Sequence, residues 1–93
     1  MTNQPAHKIR IGNLQVTIWR NHSIEKGSTW YTVNPSRSYK QGDETWRETD
    51  SLGFDDLLIM AELHRQAFAW IAGQMRADSK ARKARQEAAA EAA

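Results

Sequence analysis

The hydrophobic pattern of this chain changes its period once, at Gly53. Before that residue apolar and polar residues nearly alternate, as they do in half-buried strands. After it apolar residues recur every three or four positions, as they do along one side of a helix. Because 93 residues allow one domain, the pattern predicts an α+β domain over residues 8–75. In it an antiparallel, curved sheet of three to four strands precedes one long C-terminal helix, with a disordered lead over 1–7 and an Ala-rich charged tail over 76–93.

Glycine and proline positions divide the strand-like part. Residues 8–20 form either one long bent strand or two short ones, because the alternation slips at Gly12. A second extended run is predicted over 29–40 and a third over 45–51, with a hairpin turn at residues 41–44 between them. Pro35 lacks an amide donor, which predicts a strand that lies at an edge or is interrupted there.

The helix carries two apolar sets of residues. The first is expected to cover the sheet, and the second is then left without a cover unless the same helix of a second copy packs on it about a two-fold axis. This predicts a homodimer through the helix; the alternative is that the second set simply lies at the surface, as many apolar side chains do. The first set is Phe54, Leu57, Leu58, Ala61, His64, Phe68, Ile71 and Met75, with His64 as a packing residue. The second includes Met60 and the predicted dimer interface Ile59, Leu63, Ala67 and Trp70.

Several kinds of chemistry have no support in the sequence. The chain has no cysteine, which excludes disulfides, thiolate metal sites and a cysteine nucleophile and is typical of a cytoplasmic protein. Its three histidines lack metal-ligand spacing, and it has neither a phosphate-binding glycine loop nor a nucleophile motif. No apolar run has the length of a signal peptide or a membrane span. We therefore expect no enzyme, no cofactor, no metal and no membrane partner.

Aromatic and basic residues are concentrated in the strand-like part. If the Ile/Val phase of the strands meets the helix, Arg10 and Trp19 face outward, where nucleobases would stack on the indole and phosphates would pair with the cation. The alternative is that these residues form ordinary cross-strand pairs on a solvated face, and Trp30 and Tyr31 have opposite phases, so one of them belongs to the core. The candidate nucleic-acid contacts are Lys8, Arg10, Trp19, Arg20, Lys26, Trp30, Arg37, Tyr39, Lys40, Trp46 and Arg47.

Overall charge adds little to this prediction. Residues 1–75 carry eight basic and eight acidic side chains, whereas residues 76–93 carry five basic and three acidic ones. The predicted body is thus neutral, and the case for a polyanionic partner depends on where its cations lie.

The order of short motifs resembles a known family. KIRIG, a loop with KG, a strand that ends at Tyr39, a GDETW hairpin and GFDDLL before a long helix together resemble the positive cofactor four transcriptional coactivators and the related Whirly proteins. The chain is also similar to small proteins of bacterial genomes and mobile elements. The resemblance spans about residues 8–72 and implies a β-β-β-β-α fold, helix-mediated dimers and single-stranded DNA as ligand. It also implies contacts from Lys8, Arg10, Lys26, Trp46 and Arg47. The short polar lead and the neutral body depart from the coactivators, and coactivation itself does not follow from a fold.

Two functions therefore compete at the level of sequence. The first is a homodimer that binds single-stranded DNA, with RNA left open, in replication, repair or transcription. The second is a protein-interaction module in which the outward aromatics form a docking patch.

Overall fold

The structure, a computed structural model, describes residues 4–42 and 44–92. Four antiparallel strands in the order β1-β2-β3-β4 form one curved, open sheet, and a single helix follows them. This confirms the predicted α+β fold and its β-β-β-β-α order. The strands are β1 (His7–Ile11), β2 (Leu14–Ser23), β3 (Ser28–Gln41) and β4 (Thr45–Thr49); a single 3₁₀ turn (Phe54–Asp56) leads into the helix α1 (Leu57–Ala92).

Gly12 separates two strands rather than bending one. Ile11 pairs with Leu14, so the connection has only two residues, and Gly12 has a φ of 60°. In a type II′ turn the first of the two central residues has a positive φ and the second does not. This turn is common in tight hairpins, and glycine is favoured at its first central position. The lead predicted over 1–7 ends one residue earlier than expected, because His7 already belongs to β1; residues 1–3 lie outside the described residues.

Pro35 lies inside β3, a strand with neighbours on both sides. β2 pairs with β3 over its first part, and β4 pairs with it only from Arg37 onward. At Pro35, which is opposite Val16, the strand therefore has β2 on one side and none of the described strands on the other. The missing amide is tolerated because β3 is an edge at this position, although it is an inner strand elsewhere.

One face of the sheet, the inner face, packs on the helix. Leu14, Val16 and Ile18 of β2 point to it and are almost completely buried against Met60, Leu63 and Ala67 of α1. Ile9, Tyr31, Val33, Leu52, Trp70 and Ile71 surround this core and are partly buried. The opposite, outer face of the sheet has no helix on it among the described residues.

The two apolar sets of the helix exchange the places that the sequence pattern predicted. The set expected in a dimer interface packs on the sheet: Leu63 and Ala67 are buried in the core, and the Trp70 ring stacks on that of His7 at 4.8 Å. The set expected to cover the sheet is largely exposed, with Phe68 at 75% and His64 also exposed. Leu63 and Ala67 are therefore not available as dimer contacts, because their side chains are enclosed between the helix and the sheet. Of the other two predicted contacts, Trp70 is half-buried against the core and Ile59 is 39% exposed.

Two acidic residues hold the helix in this rotation. Asp56, before the first turn of α1, pairs with Arg37 of β3 at 3.4 Å and accepts a hydrogen bond from the Gly53 amide at 2.9 Å. Asp78, about six turns further, accepts a hydrogen bond from the Tyr31 hydroxyl at 2.9 Å. Both carboxylates lie on the helix line that carries Leu63, so polar contacts at each end place the apolar residues between them on the sheet.

The tail continues the helix. α1 runs to Ala92, and every described side chain from residue 79 to residue 91 is exposed. No described helix has a segment apolar and long enough to span a membrane.

Replacement of Leu63 by Ala should lower the free energy of unfolding by about 2–5 kcal/mol, because it empties space in a closed core. The matched change Leu58→Ala, at a side chain that is 85% exposed, should alter it by less than about 0.5 kcal/mol. Urea denaturation followed by circular dichroism measures both values. Equal losses for the two variants would contradict the assignment of the helix faces.

Candidate nucleic-acid interface

Strand register assigns every strand residue to one of the two sheet faces. Residues opposite Thr17, such as Lys8 and Asn34, share its outward direction, because paired residues of neighbouring strands point to the same side. By this rule six of the predicted contacts lie on the outer face: Lys8 and Arg10 of β1, Trp19 of β2, Trp30 and Lys40 of β3, and Trp46 of β4.

The aromatic residues of the outer face form two groups. Trp19 is opposite Thr32 and Trp30 is opposite Asn21, so the two indoles are diagonal neighbours near the β2–β3 turn. Trp46, opposite Lys40, lies at the other end of β3. From Trp30 to Lys40 the strand extends for about 33 Å, and the outward residues between them are Thr, Asn and Ser. Aromatic rings thus flank a polar strip.

Arg10 is oriented without losing its charge. Its Nε and one terminal nitrogen donate to Oε1 of Gln15 at 3.4 and 3.1 Å, and the amide nitrogen of Gln15 donates to Thr17 at 3.2 Å. A neutral amide fixes the guanidinium, whereas a carboxylate would neutralise it. Arg10 therefore presents a positioned cation on the outer face, and no described carboxylate forms an ion pair with it.

A shallow groove of about 670 Å³ lies beside Arg10. Asn13, in the β1–β2 turn, joins it to β3: the Ser38 amide donates to the Asn13 carbonyl at 2.8 Å, and the Asn13 side chain donates to the Ser38 carbonyl at 3.1 Å. Trp46 forms the opposite wall and is 66% exposed. The groove thus combines an indole ring, two cations, one carboxylate and side-chain amide and hydroxyl groups. Arg10, Gly12, Asn13, Ser38, Trp46, Arg47 and Glu48 line it.

Four predicted contacts project from the inner face. Arg20 is opposite Tyr31, Arg37 is opposite Leu14, and Tyr39 is opposite Arg47. All four have the phase of Leu14, which points to the helix, whereas Arg10 has the opposite phase. They therefore cannot share its face. Only Arg47, at the edge strand, also reaches the groove. The outward set on the strands is therefore smaller than the sequence pattern predicted.

Arg37 has a structural role. Its Nε donates to the Ser51 carbonyl at 3.0 Å, its guanidinium pairs with Asp56, and the group lies 5.8 Å from the Tyr39 ring centroid. These contacts join β3 to the segment that leads into α1. Arg37 is thus wrong as a free backbone contact, because its charge is already compensated.

Arg20 takes part in the second polar contact between sheet and helix, at Asp78. It donates to the Tyr31 hydroxyl at 3.2 Å and pairs with Asp78 at 3.4 Å. The hydrogen bond with Tyr31, and next the charge of Asp78, raise the pKa of Arg20 above its ordinary value. Arg20 therefore stays charged on the inner face, far in register from the groove.

The remaining predicted residues belong to turns between the strands. Lys26 lies in the four-residue turn between β2 and β3, where its amide donates to the Ser23 hydroxyl at 3.3 Å. Asp43, part of the predicted 41–44 turn, lies outside the described residues. In the part of the chain that the structure describes, no three His, Asp or Glu side chains converge as they would around a metal ion.

Sequence reasoning missed the polar half of this interface. Asn13 and Ser38 both line the groove. In the sequence, Asn13 is distinguished only by its place in a turn, and Ser38 only by its outward phase on β3. The dipeptide Gly12-Asn13 between two apolar alternations was the available signal, because a two-residue hairpin brings its second residue beside the neighbouring strand.

No protein-family model, curated protein or solved structure matches this chain.

Replacement of Arg37 by Gln should lower the free energy of unfolding by about 1–3 kcal/mol, because Asp56 and the Ser51 carbonyl lose a charged partner. The matched change Arg47→Gln removes one hydrogen bond to Gln41 at an exposed position and should cost less than about 0.5 kcal/mol. Thermal unfolding of both variants measures the difference. A stable Arg37→Gln variant would contradict the structural role.

Proposed function

We propose that this protein binds single-stranded nucleic acid, DNA in the first instance, on the outer face of its sheet, without an enzymatic activity. The observation that carries the proposal is that three of the four tryptophans and three cations project from one sheet face that no described element covers. The resemblance of the motif order to single-strand-binding coactivators supports the same assignment.

The tryptophans support a stacking role because nothing within the described chain stacks on them. The aromatic pairs among the described residues, His7–Trp70 and Tyr31–Trp70, both lie on the inner face. Trp30 is 48% exposed and Trp46 more so, which leaves apolar rings in water. A nucleobase on such a ring stabilises binding by about 1–3 kcal/mol, whatever its identity.

The shape of the face favours an unpaired strand over a duplex. Indole rings stack only on bases that are not already stacked and paired, and α1 lies on the inner face, so this surface offers no helix to a major groove. Lys8, Arg10 and Lys40 would contact phosphates, which carry no sequence information. The Thr, Asn and Ser side chains between the rings would hydrogen-bond to sugar and phosphate oxygens, which are the same for every base. Binding should therefore have little sequence preference.

Binding of an oligothymidylate of about 16 nucleotides should quench tryptophan emission and weaken with salt. Trp46→Ala should reduce affinity roughly 5- to 150-fold with an unchanged salt slope, while Trp46→Phe keeps most of the affinity. Arg10→Gln should flatten the slope by about 0.7, the value for one phosphate contact on a single strand. Fluorescence titration at several salt concentrations measures all three.

Arg65→Gln is the matched control for the lost charge, because Arg65 pairs with Glu62 on the helix at 2.8 Å. It should leave the salt slope unchanged. Unchanged emission and unchanged electrophoretic mobility at low salt with saturating oligonucleotide would contradict the proposal.

The proposed binding unit is a homodimer formed by the exposed side of the helix. Leu57, Ala61, His64, Phe68 and Met75 are exposed and follow one another at four, three, four and seven residues, the spacing of a two-helix seam. Six of the described residues form the buried apolar core of the monomer, which is small for a stable domain. A second copy of the helix would cover the seam and supply the missing burial.

Phe68→Glu should convert the dimer to a folded monomer, because Phe68 lies on the seam and outside the core. Ala69→Glu adds the same charge one residue further, also at an exposed position but turned away from the seam, and should leave the dimer intact. Sedimentation equilibrium gives the mass, and circular dichroism verifies folding. A wild-type monomer at micromolar concentration would contradict the dimer.

The exposed helix seam also favours a second candidate, a module that binds another protein. In that case the helix residues, rather than the sheet, would form the docking surface. The salt dependence of binding distinguishes the two candidate functions. The affinity for nucleic acid falls steeply as the salt concentration rises, whereas apolar docking of a protein does not weaken in this way.

A further inference from the structure

A second concave surface lies on the inner side of the molecule, away from the proposed interface. It is a cleft of about 630 Å³ between the end of the β2–β3 hairpin and the second half of α1. This volume is within the range of small-molecule sites and would accommodate a nucleotide-sized group. Neither the aromatic residues of the outer face nor the exposed helix seam, apart from Met75, contributes to its lining.

The cleft has an excess of positive charge. Arg20 contributes from β2, and Arg82 and Arg85 contribute from α1. The last two are three residues apart on a helix, where like charges repel. Among the described residues neither forms an ion pair, so this repulsion is not compensated within the described chain.

The carboxylate in the cleft does not cancel this charge. Asp78 accepts a hydrogen bond from Tyr31 and pairs with Arg20, so one of the three guanidinium groups is neutralised and two are not. Hydroxyl groups of Ser28, Thr29 and Ser79 line the same space and can donate hydrogen bonds to an anion. Guanidinium groups together with hydroxyl donors are the combination that recognises phosphate oxygens.

We propose that this cleft is a phosphate-binding site, with Arg82 and Arg85 as its principal ligands. The phosphate belongs either to the backbone of a strand that is also bound on the outer face, which rests on the proposed function, or to a free phosphate or nucleotide. The chemistry of the site is the same for both sources.

Helix geometry provides a matched control. Lys80 and Lys83 lie in the same basic stretch, but they do not line the cleft. The pair of changes Arg82→Gln and Arg85→Gln removes two charges from the cleft, and the pair Lys80→Gln and Lys83→Gln removes two from elsewhere on the helix. Glutamine is a good helix former at these exposed positions, so both proteins should fold, which circular dichroism verifies.

Pyrophosphate is the first probe, and amide chemical shifts of the isotope-labelled full chain are the readout. We expect pyrophosphate to shift the resonances of Thr29, Ser79 and Arg82 in the wild type and in the lysine variant. Its affinity should fall at least about tenfold in the arginine variant, as for the loss of one charge-assisted hydrogen bond. Equal weakening in both variants, or no shift at these residues with millimolar pyrophosphate, would overturn the site.

The oligonucleotide is the second probe and identifies the source of the phosphate. A loss of oligonucleotide affinity in the arginine variant alone would assign the phosphate to a bound strand. Loss of pyrophosphate binding with unchanged oligonucleotide affinity would assign it to a free ligand. Trp46→Ala should leave pyrophosphate binding unchanged, so failure of the outer face and failure of the cleft remain distinguishable.

Discussion

Burial of three alternate side chains of β2 against one line of the helix is the interaction on which the rest of this structure depends. Leu14, Val16 and Ile18 are enclosed by Met60 and Leu63, and each such burial stabilises the fold by about 1.5–3 kcal/mol. Since β2 lies between β1 and β3, its phase determines the phase of both neighbours through their pairing. One apolar contact thus decides which side chains of the sheet face the helix.

Polar contacts between the sheet and the helix line add to this apolar contact. Arg37 with Asp56, and Tyr31 and Arg20 with Asp78, fasten the two ends of the helix line that the core occupies. They also use cations that would otherwise be available to a ligand. Among the described residues, the cations without an ion-pair partner include Arg10, which is held by Gln15 on the outer face, and Arg82 and Arg85, which line the cleft at the hairpin end. The same packing that stabilises the domain therefore separates two positively charged surfaces.

The sequence predicted the elements well because each depends on local pattern: period two before Gly53, period 3.6 after it, and glycine at the two-residue turn. It also predicted Trp19 and Arg10 as outward, because alternation along one strand is a local property. The rotation of the helix was not predictable in this way. Both of its sides are apolar, and the choice between Leu63 and Phe68 depends on contacts with distant parts of the chain, such as the hydrogen bond from Tyr31 to Asp78, 47 residues away. Arg37 and Arg20 were misassigned for the same reason, since their carboxylate partners come from the helix.

Side chains along β3 alternate between the two sheet faces, and this limits the insertions and deletions that the strand can tolerate. Trp30 and Tyr31 are adjacent in sequence, yet the first faces solvent and the second packs near Trp70. Loss or gain of a single codon between Tyr31 and Arg37 would therefore reverse the phase of one part of the strand relative to the other. Either the tryptophan would turn inward and the tyrosine outward, or Arg37 would leave Asp56. The turn at residues 24–27 carries no such phase, so insertions there would leave both faces intact. In this fold substitutions on one sheet face can accumulate independently of the other face, but the number of residues in β3 must stay constant.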